Sequence, residues 1–292
     1  MNQGAKPFKM LQEDRSVPSL AGDLRAPASE EPGRRNSGMY QTGLLIINAD
    51  DWGRDNDTTD RTLECVGCGS VSSVSAMVFT EDSERAAAIA RERGIDAGLH
   101  LNLTTKFSAA HTPGQLVERQ QEIAAFLLRR RLNQVVFHPG LVRSFEYVVA
   151  AQLEEYRRLY GKDAARVDGH HHMHLCANVL LQELLPRGIV VRRNFSFQRG
   201  EKSLVNRLYR QAVDRRLARR YHLADYLFSL SPFEPQDRLD RIRSLAARFM
   251  VEVETHPINA DEHRFLTGSE VLLWAGDILV ARRYPASPSS SN

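Results

Sequence analysis

The stretch Gly43–Gly53, reading GLLIINADDWG, constrains the fold more than any other part of the chain. Leu44, Leu45, Ile46 and Ile47 form a short apolar run closed by polar residues and a glycine. Side chains on a strand alternate between its faces, so such a run has to be covered on both, as parallel strands flanked by helices are. Two consecutive carboxylates, Asp50 and Asp51, stand at its end. Strand ends in α/β proteins are where ligands bind, because a rigid sheet positions the loops there. Adjacent acids repel unless a cation or a proton offsets them; the plainer reading is that one of them caps the next helix.

The rest of the chain keeps the same alternation. Residues 55–67 read as a helix started by Asp55 or Asp57. Ser72 to Val78 reads as a second strand, and Glu81 to Arg93 as a helix capped by Asp82 or Ser83 and stopped by Gly94. AGLHLNLT, Ala97 to Thr104, alternates strictly, with Leu99, Leu101 and Leu103 on one side and His100 and Asn102 on the other. An arginine-rich helix is expected near Glu118 to Arg131, and Phe145 to Tyr160 follows helical spacing up to Gly161. RVDGHHHMHL, Arg166 to Leu175, if extended, puts His170, His172 and His174 on one face and His171 on the other. Gly188 to Arg193 is a short strand, and Glu201 to Tyr221 a basic helix with Lys or Arg at seven of 21 positions. A solvated outer face is its plain reading, and a surface that recruits anionic partners the alternative. Arg238 to Phe249 is a helix, Met250 to Thr255 a strand ending at His256-Pro257, and Trp274 to Val280 carries the last elements.

Strand and helix alternate from residue 43 onward without a break in composition, which predicts one α/β domain with a parallel, barrel-like sheet. Residues 1–40, rich in Pro, Gly, Ser, Glu and Arg, are expected to be a disordered or loosely attached extension, 41–284 the domain, and 285–292 a disordered tail. A net charge of +3 gives no general case for nucleic acid or membrane binding. The start of the chain lacks the apolar core of a signal peptide, and no run approaches the ~20 apolar residues of a membrane span. The expected location is therefore cytoplasmic. Three cysteines, Cys65, Cys68 and Cys176, cannot make a disulfide framework, and the lone C-x-x-C has too few partners for a zinc ribbon.

Four predicted strand ends carry polar groups: Asp50-Asp51, His100, the cluster at His170, and His256. In a parallel barrel all strand C-termini share one rim. One carboxylate and two histidines make a metal site with positions left open for water and substrate. A second carboxylate can accept a proton from that water, and a further histidine can protonate a leaving group.

NADDWG (Asn48–Gly53), GLHLNLT (Gly98–Thr104), VDGHHHMHL (Val167–Leu175) and ETHP (Glu254–Pro257) together resemble the YdjC-like carbohydrate deacetylases, over about Leu44 to Ala281. That family includes chitooligosaccharide deacetylases and deacetylases associated with hopanoid biosynthesis. The resemblance implies a distorted (β/α) barrel of the glycoside hydrolase/deacetylase type. It also implies one divalent metal ion, Mg or Zn, and removal of acetyl groups from an N-acetylated sugar or oligosaccharide. By the same resemblance Asp51, His100 and His170 match the metal ligands, Asp50 the general base and His256 the proton donor, with the two Asp roles exchangeable. His172 and His174 look like a substrate-facing or ligand-supporting pair. Arg192 is expected to contact sugar hydroxyls, and Trp52, where the family often has Phe, to add a sugar-stacking face. Ile258 stands where the family commonly has Gly. No nucleic acid and no membrane insertion are expected as partners, and a homodimer is left open. The rival readings are a non-catalytic sugar-binding protein and a metal hydrolase of another class, such as a phosphoesterase.

Overall fold

The apolar run at Leu44 becomes an interior strand of a parallel sheet. The structure, a computed structural model, describes residues 43–198, 200–235 and 237–285, which belong to one compact unit. The strands are β1 (Leu44–Trp52), β2 (Ser73–Ala76), β3 (Ala97–Leu101), β4 (Arg166–Gly169), β5 (Val190–Val191), β6 (Tyr226–Ser229) and β7 (Met250–Thr255). All neighbours pair in parallel, in the order β5-β4-β3-β2-β1-β7-β6. The seven strands form a curled half-barrel. Its edges approach each other, since Val191 N donates to His222 O and Ser196 N to Leu227 O, each at 2.9 Å. The helices are α1 (Asn56–Gly67), α2 (Ser83–Arg93), α3 (Gly114–Arg129), α4 (Val142–Tyr160), α5 (Ala177–Leu181), α6 (Leu204–Leu217), α7 (Asp237–Ala246), α8 (Ala260–Thr267) and α9 (Glu270–Ala275).

Local chemistry explains several boundaries. Asp55 starts α1 by accepting from Thr58 N at 2.8 Å. Gly94 and Gly161 take left-handed conformations that end α2 and α4. The sides of the strands differ in kind. Leu45, Ile47, Val251 and Val253 pack outward with α7, α8 and α9, while Leu99, Leu101 and Val167 join Phe145, Val148 and Tyr156 of α4. The alternate positions hold Asn48, Asp50, Ser75, His100, Arg166, Asp168, Arg192, Glu252 and Glu254, all buried and joined by hydrogen bonds. A small apolar group, Ile46, Val190 and Tyr284, closes this polar interior, and Tyr284 donates to Glu252 at 2.9 Å. Gly98 belongs to the same design: a Cβ there would lie 2.8 Å from the Arg166 guanidinium carbon.

The structure departs from the sequence reading in four places. The extended reading of 166–175 fails: β4 stops at Gly169, and His170–Leu175 is a tight 3-10 turn with His171 and His172 at φ of 55° and 57°. Strand β6 and helix α8 were not foreseen. The basic helix starts at Leu204 and buries Val213 and Leu217, but its Val205 and Tyr209 stay exposed. The expected extension at 1–40 and all but Pro285 of the expected tail lie outside the described residues. No helix among the described residues is long and apolar enough to cross a membrane. Cys65 is buried and Cys68 exposed at the end of α1, and burial, with Cys68 and Glu64 nearby, pushes the Cys65 thiol up to about 12.

Candidate functional site

The site begins with an irregularity in β1. Ala49 pairs with Val74 and Trp52 with Ala76, so two residues, Asp50 and Asp51, oppose the single Ser75. This is a bulge, and Asp51 sits in it at a φ of 64°. Regular alternation would send adjacent side chains to opposite faces. The left-handed residue, tolerated by Asp better than by most side chains, instead keeps both carboxylates at the mouth of the barrel, each 2% exposed. Trp52 then turns outward into the apolar cluster of α2 and is fully buried. It has no face to stack on a sugar, which corrects that expectation.

Asp51 faces two imidazoles. His170 Nδ1 lies 2.8 Å from its Oδ1, and His100 Nε2 lies 3.3 Å from the same oxygen. Its other oxygen accepts from Arg54 at 3.0 Å. Burial alone would raise the Asp51 pKa, but the hydrogen bonds from His100 and His170 outweigh it and hold the carboxyl well below its usual range. His100 is fixed from behind. It is the register partner of Asp168 on β4, and its Nδ1 donates to Asp168 Oδ1 at 2.8 Å. Burial pushes the His100 pKa down; Asp50, Asp168 and Asp51 reverse this and carry it up to about 10.

Asp51, His100 and His170 therefore offer one carboxylate oxygen and two imidazole nitrogens within 4.8 Å of one another. A carboxylate behind a ligating histidine fixes its tautomer and ring orientation, and Asp168 does this for His100. The donor set fits a divalent transition metal, zinc included.

Asp50 faces a cation instead. Arg192 donates to it twice, Nη1 to Oδ2 at 2.6 Å and Nη2 to Oδ1 at 2.8 Å, and Asn48 adds a third bond at 2.8 Å. The same guanidinium reaches Glu252 at 2.7 Å, Asp168 at 3.1 Å and Glu254 at 3.2 Å. Arg192 is 1% exposed, so it cannot touch sugar hydroxyls; the expected contact is replaced by a buried fork that holds Asp50. Asp50, Glu254 and His256 form a second close triplet, but Arg192 already compensates both of its acids. Glu254 also meets His172 Nε2 at 3.2 Å. Burial would raise the Glu254 pKa, but His172, Arg192 and His256 bring it to about 2. Burial opposes the charged form of His256, and Glu254, Asp50 and Asp51 more than restore it, so its pKa is raised. Its backbone N–H donates to Glu262 at 2.6 Å.

The remaining histidines diverge because of the turn. His171 Nδ1 meets Thr104 Oγ1 at 3.0 Å on the exposed side. His172 is half-buried at the rim, with the Phe195 ring 4.5 Å away. His174 is fully buried, packs against Gly169, and donates to the Arg192 carbonyl at 2.9 Å. It is not substrate-facing and ties the histidine turn to the segment carrying Arg192. A further set, Glu84, His111 and Glu155, lies apart on the surface, and Arg158 bonds both glutamates.

Sequence reasoning passed over Asp168, Glu252, Glu254, Arg166 and Asn48. The available signal was positional: Asp168 and Glu254 each stand at a strand end two residues before a histidine already singled out.

A family described as YdjC-like protein matches residues 44–273. The chitooligosaccharide deacetylase of Serratia marcescens is 34% identical over 137 residues, 45% of this chain and 51% of that one. The carbohydrate deacetylase of Mus musculus is 31% identical over 144 residues, 46% of this chain and 44% of that one. The chain spans about half the length of the curated relatives it matches. A crystal structure from Enterococcus faecalis V583, of a protein proposed to cleave cellobiose phosphate, superposes with a TM-score of 0.57 at 17% identity, over 82% of this chain and 97% of that one. This last likeness is one of fold alone.

Proposed function

This chain belongs to the YdjC-like protein family, and we propose from that premise that it is a metal-dependent carbohydrate N-deacetylase, hydrolysing the acetamide of an N-acetylated sugar to acetate and a free amine. The observation that carries the reading is the division between two neighbouring acids: Asp51 turns one oxygen to two imidazoles, whereas Asp50 has both oxygens in the fork of a buried guanidinium. The names of the relatives support the substrate class. The assignment is Asp51, His100 and His170 as metal ligands, with Asp50 and His256 as the proton-transfer pair.

A divalent cation held by Asp51, His100 and His170 would supply Lewis acidity, lowering the pKa of the attacking water and polarising the acetamide carbonyl. Arg192 and Asn48 hold both oxygens of Asp50 in one orientation, so the carboxylate meets the water in a fixed geometry as it accepts the proton. His256 donates a proton to the departing nitrogen as the C–N bond breaks. Its charged form is favoured by Glu254 beside it and by both aspartates. His172, partly exposed and steadied by Glu254 and Phe195, is the histidine of the turn that remains available at the rim to orient the sugar.

The test is acetate release from N-acetylglucosamine and its oligomers. We expect release to be abolished by a chelator, restored by added divalent metal, and reduced at least about a thousandfold in His100→Ala. Activity that survives both chelation and that substitution contradicts the metal-dependent scheme.

A further inference from the structure

The deacetylase chemistry leaves one feature of the molecule unused: the outward face of α6. Leu204, Val205, Leu208 and Tyr209 recur at i, i+1, i+4 and i+5, and are 65%, 77%, 54% and 40% exposed. The same helix buries Val213 and Leu217, roughly opposite Leu204 and Leu208, so its inner stripe is already satisfied; Tyr209, one turn before Val213, stands at the edge of that stripe. Arg215 follows Leu208 by two helical turns and extends the outer face. Of the seven basic residues here, Arg210 donates to Asn206 and sits over Phe197, and the other six fall into two groups. Arg216 and Arg220 pair with Glu183, whereas Lys202, Arg207, Arg215 and Arg219 make no ion pair among the described residues. The two acids of the segment are engaged: Asp214 accepts from Arg193 and Asn194, and Glu201 meets Arg241. What remains is an apolar patch bordered by uncompensated cations.

We propose that this face of α6 docks on an anionic lipid bilayer, with Leu204, Val205 and Leu208 sinking to the level of the acyl chains and Lys202, Arg207, Arg215 and Arg219 meeting the headgroups. Exposed aliphatic residues beside unpaired cations are what an interfacial helix needs: apolar area for shallow burial and positive charge for anionic headgroups. Charge argues against the other occupants. A second copy packed on this face about a two-fold axis would bring its unpaired arginines against like charge. A nucleic acid would use the cations but leave the leucines and valine without apolar partners. The helix therefore lies on a bilayer rather than spanning it, in keeping with the lack of a long apolar helix among the described residues.

The face is also joined to the rim of the site. The Phe195 ring packs 4.5 Å from His172, Phe197 lies 6.3 Å from Phe195, and Lys202 and Arg210 sit over Phe197 at 5.3 Å and 5.0 Å. A continuous strip of aromatic and cationic groups thus runs from His172 to the start of α6.

The experiment uses the full chain with Cys68→Ser to remove the exposed thiol and Leu208→Cys to report on the face. Labelling by a polar maleimide is followed by mass spectrometry, alongside vesicle sedimentation of the unmodified chain. We expect fast labelling of the free protein, slowed at least about tenfold by phosphatidylglycerol vesicles and little by phosphatidylcholine vesicles, with the protection reversed by about 0.5 M salt. Sedimentation with the anionic vesicles should be lost in Arg207→Glu/Arg215→Glu, while acetate release from a soluble sugar is unchanged. Four results overturn the proposal. They are protection without vesicles at low protein concentration, meaning the chain covers the face itself; protection that grows with protein concentration, meaning a second copy; protection by duplex DNA or RNA and not by vesicles; and labelling unaffected by any of these. None of them bears on the deacetylase reading, which is tested with soluble sugars.

Discussion

Asp50 and Asp51 are identical residues one peptide bond apart, equally buried, and their oxygens are divided differently among their partners. Asp51 has two imidazoles on one oxygen, and one of those imidazoles is backed by a further carboxylate. Asp50 has both oxygens in the fork of a buried arginine. The first surrounding leaves one oxygen to two imidazoles that can share a cation, with the partly exposed Arg54 on the other; in the second a buried guanidinium takes both oxygens. The bulge in β1 makes the division, because it turns Asp51 without moving Asp50 off the interior face. Adjacent acids at a strand end are thus not interchangeable once the strand geometry is known.

The comparison can be broken most severely at Arg192. Its guanidinium serves Asp50, Asp168, Glu252 and Glu254, so Arg192→Met leaves buried acids without compensation. We expect a loss of about 3–5 kcal/mol in denaturant unfolding. Arg192→Lys, which keeps the charge but not the fork, should fold and lose activity through kcat rather than KM. Equal stability of Arg192→Met and the parent would show that the network is not what balances these acids.

A milder break is Asp168→Asn. Asp168 touches both sides: His100 on one oxygen, and Arg166, Arg192 and Ser75 on or about the other. Losing its hold on His100 should weaken metal affinity by about 10- to 100-fold. Unchanged affinity with lowered stability would assign Asp168 to the arginine side alone.

The smallest effect is confined to acid. The folded-state pKa of Glu254 lies near 2, below its ordinary 4.5. A depressed carboxylate contributes stability that is present above the unfolded pKa and lost as pH falls through the folded one. Glu254→Gln should therefore flatten the decline in stability between about pH 4.5 and 2. An identical acid profile in the variant would remove Glu254 from that balance.

Much of this was legible in the chain. Short apolar runs ending in Asp or His gave the parallel sheet and its rim, because covered strands and strand-end ligands leave a clear pattern. The polar interior was not legible. Asn48, Ser75, Arg166, Asp168, Arg192 and Glu252 alternate with apolar residues, and that pattern reads equally well as a strand with one wet face. Arg192 in particular passed for a rim residue because an arginine is rarely buried unless it is paired, and its partners come from three other strands. The histidine cluster was visible but its directions were not, since two left-handed residues replace the extended geometry.

The division between the two acids is tested most directly by titrating a divalent metal into Asp50→Asn and Asp51→Asn, side by side, and counting bound ions per chain. The account predicts that Asp50→Asn still binds one ion tightly while releasing no acetate, and that Asp51→Asn fails to retain it. Retention by Asp51→Asn, or equal loss in both variants, would contradict it.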